Sequence, residues 1–176
     1  MGKNIILTGF MGTGKTVVGR ILAKKMKKEF IDTDKIIEER EQNRIVWIFQ
    51  VKGEKYFRKK EEEVIEEVSQ KKDCVIATGG GAIVNEKNYR NLKKNGIIIC
   101  LTAKPEIILE RTSPIKDRPL LLNSEDVIST IKELMKRREP YYSKADYTID
   151  TSDLTPEQVA EKIIEIVGEE YEKNKG

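Results

Sequence analysis

Gly9-Phe10-Met11-Gly12-Thr13-Gly14-Lys15-Thr16 has the spacing G-x-x-x-x-G-K-[ST], which is built for phosphate. Glycines let the backbone curl until successive N–H groups point at one anion. The helix that follows adds free donors and a positive dipole end. Lys15 supplies a mobile charge for the β- and γ-phosphates, and the Thr16 hydroxyl suits Mg²⁺. The context fits, because an apolar run, Ile5-Ile6-Leu7, precedes the loop and a helix-period pattern with Val18, Ile21, Leu22 and Met26 on one face follows it. The chain is therefore expected to bind a nucleoside triphosphate with Mg²⁺.

Further charged groups follow at intervals. Asp32 and Asp34 end a strand-like run; one can serve a metal and the other an acceptor, or Asp34 can simply cap the next helix. Arg58 lies beside the inner face of a helix with Glu61 one turn on. That arrangement suits either an anion site or a solvated ion pair. Thr78-Gly79-Gly80-Gly81 is a glycine run at another strand end, either a plain loop or one that lets a ligand touch the backbone. The Pro-flanked stretch 112–121 contains Arg118 and reads as a surface loop or as a lid closing over the phosphates. Arg111 precedes it. Arg137 and Arg138 stand where Pro140 is expected to stop a helix, and one of them can turn inward to a carboxylate.

The elements that must position these groups alternate along the chain. Strands are predicted at 4–7, 29–32, 74–77, 96–101 and 147–150. Helices are predicted at 17–26, 35–42, from 54 to about 70, at 104–112 and 126–139, and from Pro156, with Thr155 as its N-cap and a polar tail fraying from about Glu170. Such alternation argues for an α/β fold with a parallel sheet covered on both faces. Ligands then bind beyond the carboxyl ends of the strands, where most of these motifs fall.

Composition narrows the class. The chain has 176 residues, 38% hydrophobic and 36% charged, with a net charge of +3 and no histidine. One α/β domain, 1–176, is expected, and disorder is excluded. The near-balanced charge implies no nucleic-acid partner. Without histidine, any general base is Asp, Glu, Lys or Tyr. Cys74 and Cys100 sit in apolar runs and read as buried hydrophobes. No apolar run is long enough to span a membrane, and no signal segment is evident, so a cytoplasmic, soluble protein is expected.

Taken in order, the P-loop, Asp32-Thr33-Asp34, Gly53-Glu54…Phe57-Arg58…Glu61, Thr78-Gly79-Gly80-Gly81, Arg118-Pro119-Leu120-Leu121 and Arg138…Pro140…Tyr142 resemble the shikimate kinases over residues 3 to 167. The resemblance implies a P-loop NTPase fold of the nucleoside monophosphate kinase type. Its five-stranded parallel sheet would run in the order 2-3-1-4-5, with a mobile lid at about 112–124 and a substrate-binding region at about 33–61. It implies transfer of phosphate from ATP to the 3-hydroxyl of shikimate, one Mg²⁺ ion and a monomer. Gly12, Thr13, Gly14, Lys15 and Thr16 would hold the phosphates, and Thr16 and Asp32 the metal. Asp34 would bond substrate hydroxyls and accept the proton. Arg58 and Arg138 would clamp the carboxylate, with Glu61 orienting Arg58 and Gly80 and Gly81 touching the substrate. Arg118 would meet the transferring phosphate, and Arg111 would lie against the adenine, closed on the other side by the loop after Asp150. Three positions depart from the pattern. Asn43 stands for a glycine, a mild change because Asn tolerates a left-handed conformation, Trp47 stands for a small acidic residue, and Asp153 for a basic one. Another small-molecule P-loop kinase, such as one for gluconate, is the nearest alternative; a GTPase-like switch is not expected without an N-K-x-D motif.

Overall fold

The computed structural model describes residues 2–112 and 126–173. The lid at 112–124 and its Arg118 lie almost wholly outside the described residues; only Thr112 falls within them.

Five parallel strands form one sheet in the order β2-β3-β1-β4-β5. They are β1 (Asn4–Gly9), β2 (Glu29–Asp32), β3 (Cys74–Ala77), β4 (Gly96–Thr102) and β5 (Tyr147–Asp150). The central three are buried almost throughout, so their sequences are nearly unbroken apolar runs. The edge strands β2 and β5 are more exposed, with one buried residue each, Ile31 and Ile149. The buried cysteines, Cys74 and Cys100, are free thiols on β3 and β4.

Helices cover both faces. On one, α1 (Lys15–Met26) packs against α8 (Pro156–Lys173), where Val18, Leu22, Val159 and Ile163 meet Ile5, Leu7 and Ile99. On the other lie α2 (Thr33–Glu41), the short α3 (Ile45–Trp47), a π-helical turn (Ile48–Lys52), α4 (Glu54–Val68) and α5 (Glu86–Asn95). Phe57, Val64, Ile65 and Val68 of α4 close this second core with Ile6, Ile76 and Ile98. A third cluster joins Phe10 and Met11 to Ile108 of α6 (Pro105–Thr112) and Ile131 of α7 (Val127–Tyr142).

Several local expectations need correction. Pro140 does not stop α7, which runs on to Tyr142. Only one N–H is lost so near the helix end, and the Ser143 N–H still donates to the Glu139 carbonyl at 2.9 Å. Arg138 and Tyr142 thus share a helix face. The cap of α2 is Asp32, not Asp34; its carboxylate accepts from the N–H groups of Asp34 and Lys35. The residue ending α2 in a left-handed conformation is Gln42, φ 53°, next to Asn43. Helix α8 continues through Glu170 to Lys173, and the Tyr147 hydroxyl donates to Glu170. At its start, Thr155 Oγ1 accepts from the Gln158 N–H while Gln158 returns a bond to the Thr155 N–H, a reciprocal cap. Trp47 is 40% exposed on the turn leading to α4, with the Lys52 ammonium 5.9 Å from its ring centroid.

The tightest backbone approach is at the end of β1. Gly9 has φ 130°, and a Cβ there would lie 2.0 Å from the Leu101 carbonyl oxygen. Gly9→Ala is expected to cost about 3 kcal/mol or more, through overpacking and a strained φ. Urea denaturation checks this; an unchanged midpoint would contradict the assigned backbone.

Candidate active site

Every strand ends on the same edge, so the loops after β1, β2, β3 and β5 converge there. A cleft of about 510 Å³ is lined by Gly12 to Thr16, Asp32, Asp34, Gly80, Arg111 and Thr151. A second, of about 540 Å³, is lined by Arg58, Glu61, Gly81, Arg138 and Tyr141. The glycine run after β3 lies between them, with Gly80 in the first lining and Gly81 in the second.

The phosphate loop is held from within. Thr13 Oγ1 donates to the Phe10 carbonyl at 2.8 Å. Lys15 Nζ donates to the carbonyls of Gly9 and Phe10 at 2.8 and 2.9 Å, so its ammonium lies against the loop at the cleft wall. Thr16 Oγ1 donates to Asp32 Oδ2 at 2.9 Å. These two oxygens are hard donors in contact with each other at the cleft, and they fit an ion such as Mg²⁺ that takes its other ligands from phosphate and water.

The second pocket is built on opposed charges. Arg58 Nη1 donates to Glu61 Oε2 at 2.9 Å, and Nη2 donates to Glu54 at 3.1 Å. Glu61 is 1% exposed. Burial pushes its carboxyl pKa up, against the opposing pull of Arg58 and Arg138, and the net shift is upward. Burial also works against the Arg58 charge, but Glu61 and Glu54 outweigh it and hold that pKa above its usual value. The pair is half-sequestered rather than fully solvated: Glu61 is buried, while the Arg58 side chain is 28% exposed. Arg138 is also buried, its guanidinium carbon 5.4 Å from the Phe10 ring centroid. The Tyr142 hydroxyl donates to the Gly80 carbonyl at 2.6 Å, and burial pushes its pKa up to about 12.

The glycines after β3 are needed for close approach. A Cβ at Gly79 would lie 2.7 Å from Asp34 Oδ1 and 2.8 Å from Glu61 Oε1, and one at Gly81 would lie 2.6 Å from both terminal nitrogens of Arg58. Side chains here would displace the charged groups.

Arg111 edges the first cleft. Its guanidinium donates to the Gly12 carbonyl at 3.2 Å and to both the hydroxyl and the carbonyl of Thr151, at 3.0 and 2.9 Å. These bonds use the edge of the plane and leave its faces available for stacking. Asp153 pairs with Lys104 at 3.4 Å on the surface. All the expected site residues within the described residues therefore meet at the two pockets. Sequence reasoning assigned no individual role to Glu54, Tyr142 or Thr151, the last falling only within the loop after Asp150 expected to close the adenine site. The i,i+4 spacings Glu54–Arg58 and Arg138–Tyr142 were signals for the first two; nothing local marks Thr151.

A glycine-rich loop of phosphate-binding spacing beside an arginine-lined pocket, on a 2-3-1-4-5 parallel sheet, fits the class of ATP-dependent small-molecule kinases. The family model described as shikimate kinase matches residues 11–168. A shikimate kinase of Caldanaerobacter subterraneus is 52% identical over 92% of this chain and 94% of its own. The structure of an Acinetobacter baumannii shikimate kinase in complex with shikimate superposes with a TM-score of 0.92 at 40% identity, over 97% of this chain and 95% of that one. The Aquifex aeolicus shikimate kinase gives 0.80 at 36% identity, over 96% and 98%. A Sinorhizobium meliloti gluconokinase, at 13% identity and a TM-score of 0.64 over 98% and 94%, shares the fold alone. The chain belongs to the shikimate kinase family.

Because the folded pKa of Glu61 lies above its ordinary value of 4.5, its contribution to stability is full below that value and is lost as pH rises through the raised pKa. Glu61→Gln is expected to remove this component, flattening the fall in stability above about pH 4.5, and to raise the KM of the acceptor about tenfold by releasing Arg58. Urea melts across pH and steady-state kinetics measure both; an unchanged pH slope would contradict the buried-carboxylate assignment.

Proposed function

We propose a division of labour among the residues lining the two pockets. The reaction is transfer of the γ-phosphate of ATP to the 3-hydroxyl of shikimate, a step toward aromatic amino acids. The observation that carries the assignment is that one glycine run separates the phosphate cleft from a pocket holding two arginines, with Asp34 at the junction.

The backbone from Gly12 to Thr16 and the Lys15 ammonium bind the phosphates of ATP. Thr16 and Asp32 hold Mg²⁺, which supplies charge neutralisation on the phosphate oxygens when bound. Arg58 and Arg138 grip the shikimate carboxylate, the former oriented by Glu61, and the glycine backbone at Gly80 and Gly81 borders the ring. Held at its far end, the acceptor turns one hydroxyl toward the phosphates. Asp34 accepts the proton of that hydroxyl as the phosphoryl group arrives; with no histidine in the chain, a carboxylate is the natural base. Arg118, on a lid of about 112–124, offsets charge on the transferring group. Arg111 offers a guanidinium face to the adenine.

These parts belong to a single domain, with the acceptor region at about 33–61. We take the enzyme to act as a cytoplasmic monomer. One chain supplies both pockets, and no helix among the described residues is long and apolar enough to cross a membrane.

A coupled ADP-release assay comparing shikimate, gluconate and AMP tests the reading; turnover is expected with shikimate, and ADP release without acceptor preference would sink it. In the same assay, Arg118→Ala is expected to lower kcat about a thousandfold. Arg58→Ala is expected chiefly to raise the shikimate KM. The reverse pattern would refute the two assignments.

A further inference from the structure

The side chain that ties the nucleotide cleft together is Thr151, the first residue after β5. It is 2% exposed. Its hydroxyl lies 3.0 Å from the Thr13 carbonyl, 3.1 Å from the Thr102 carbonyl and 3.0 Å from Arg111 Nη1. The phosphate loop, β4, α6 and β5 therefore meet at one oxygen.

Hydrogen bookkeeping orders these contacts. A hydroxyl has one proton to donate and two lone pairs to accept with. The Thr102 carbonyl already receives the Thr151 N–H at 2.8 Å. The hydroxyl proton is then best used on Thr13, while Arg111 donates to the hydroxyl oxygen. The same guanidinium nitrogen also donates to the Gly12 carbonyl at 3.2 Å. Two successive loop carbonyls, those of Gly12 and Thr13, are thus held toward Thr151 and Arg111.

A peptide unit is planar, and in the trans form its C=O and N–H point in opposite directions. Fixing the Gly12 carbonyl aims the Thr13 N–H the other way, and fixing the Thr13 carbonyl does the same for the Gly14 N–H. Gly12 and Gly14 have φ of 74° and 97°. Glycines have wide backbone freedom, so their peptide planes turn easily unless something outside the loop holds them.

We infer that Thr151 is a positioning residue for ATP. Its hydroxyl, with the Arg111 fork it anchors, sets the orientation of the phosphate-loop peptides so that their N–H groups converge on the phosphates. This rests on the first cleft being the ATP site.

Thr151→Val removes the hydroxyl at nearly constant volume. Loss of one to two hydrogen bonds that orient the cradle is expected to raise the ATP KM about tenfold. The shikimate KM should stay within about twofold, and Thr151→Ser should bring the ATP KM back to within about twofold of the parent. A Val variant with the parent's ATP KM, whatever its melting temperature, would overturn the inference. So would an equal rise in both KM values, which marks a general loosening of the fold. Should the Val protein not fold, Thr151→Cys, with its weaker donor, is read by the same split and the same two overturning results. A parent enzyme that does not turn over ATP with shikimate defeats the functional reading instead; parent turnover with an unaffected variant defeats only the role of Thr151.

Discussion

The structure depends on the pairing of β1 with β3 on one side and β4 on the other, all parallel. Parallel pairing makes every strand finish on one edge, and placing β1 in the centre puts its following loop between the loops of both neighbours. The phosphate loop is thereby flanked by the glycine run after β3 and by the β4–α6 connection. The buried apolar strands secure the register, and the register sets the distances in the site. Gly9 is where this constraint is tightest, because the chain leaves the sheet in direct contact with the backbone of β4.

On that edge the molecule accepts local costs for function. Glu61 is a carboxyl group enclosed in the protein, and burial raises its pKa by more than Arg58 and Arg138 lower it. Such an arrangement contributes less to stability than an apolar contact of the same volume. It does keep a guanidinium aimed and charged in a place where water would otherwise dictate its orientation. The three glycines beneath it also forgo backbone stability so that charged groups approach within contact distance.

Much of the fold and site was legible in the residues. The strands fall where apolar runs end in Asp, Gly or Thr, and most predicted boundaries lie within two residues of the observed ones. The phosphate loop, Asp32, Asp34, Arg58 and Glu61 could be read because their spacing is local and their chemistry distinctive. Errors arose where a local rule met a tertiary one. Proline was weighted as a helix stop, yet near a helix end it removes only one bond. Asp34 and Asp32 both suit a cap, and only the path of the chain at the end of β2 chooses between them. Thr151 was illegible for a different reason. Its hydroxyl contacts Thr13 across 138 positions and Arg111 across 40, and no periodicity records such a meeting.

The exposed Trp47 is the chain's single tryptophan. It sits on the turn that leads into the helix bearing Arg58 and Glu61, beside the Lys52 ammonium. Light absorbed by indole therefore comes back from one corner of the molecule only. The emission of the unlabelled protein is a local optical signal, set by solvent and by a nearby charge, from the side of the molecule where Arg58 and Glu61 stand.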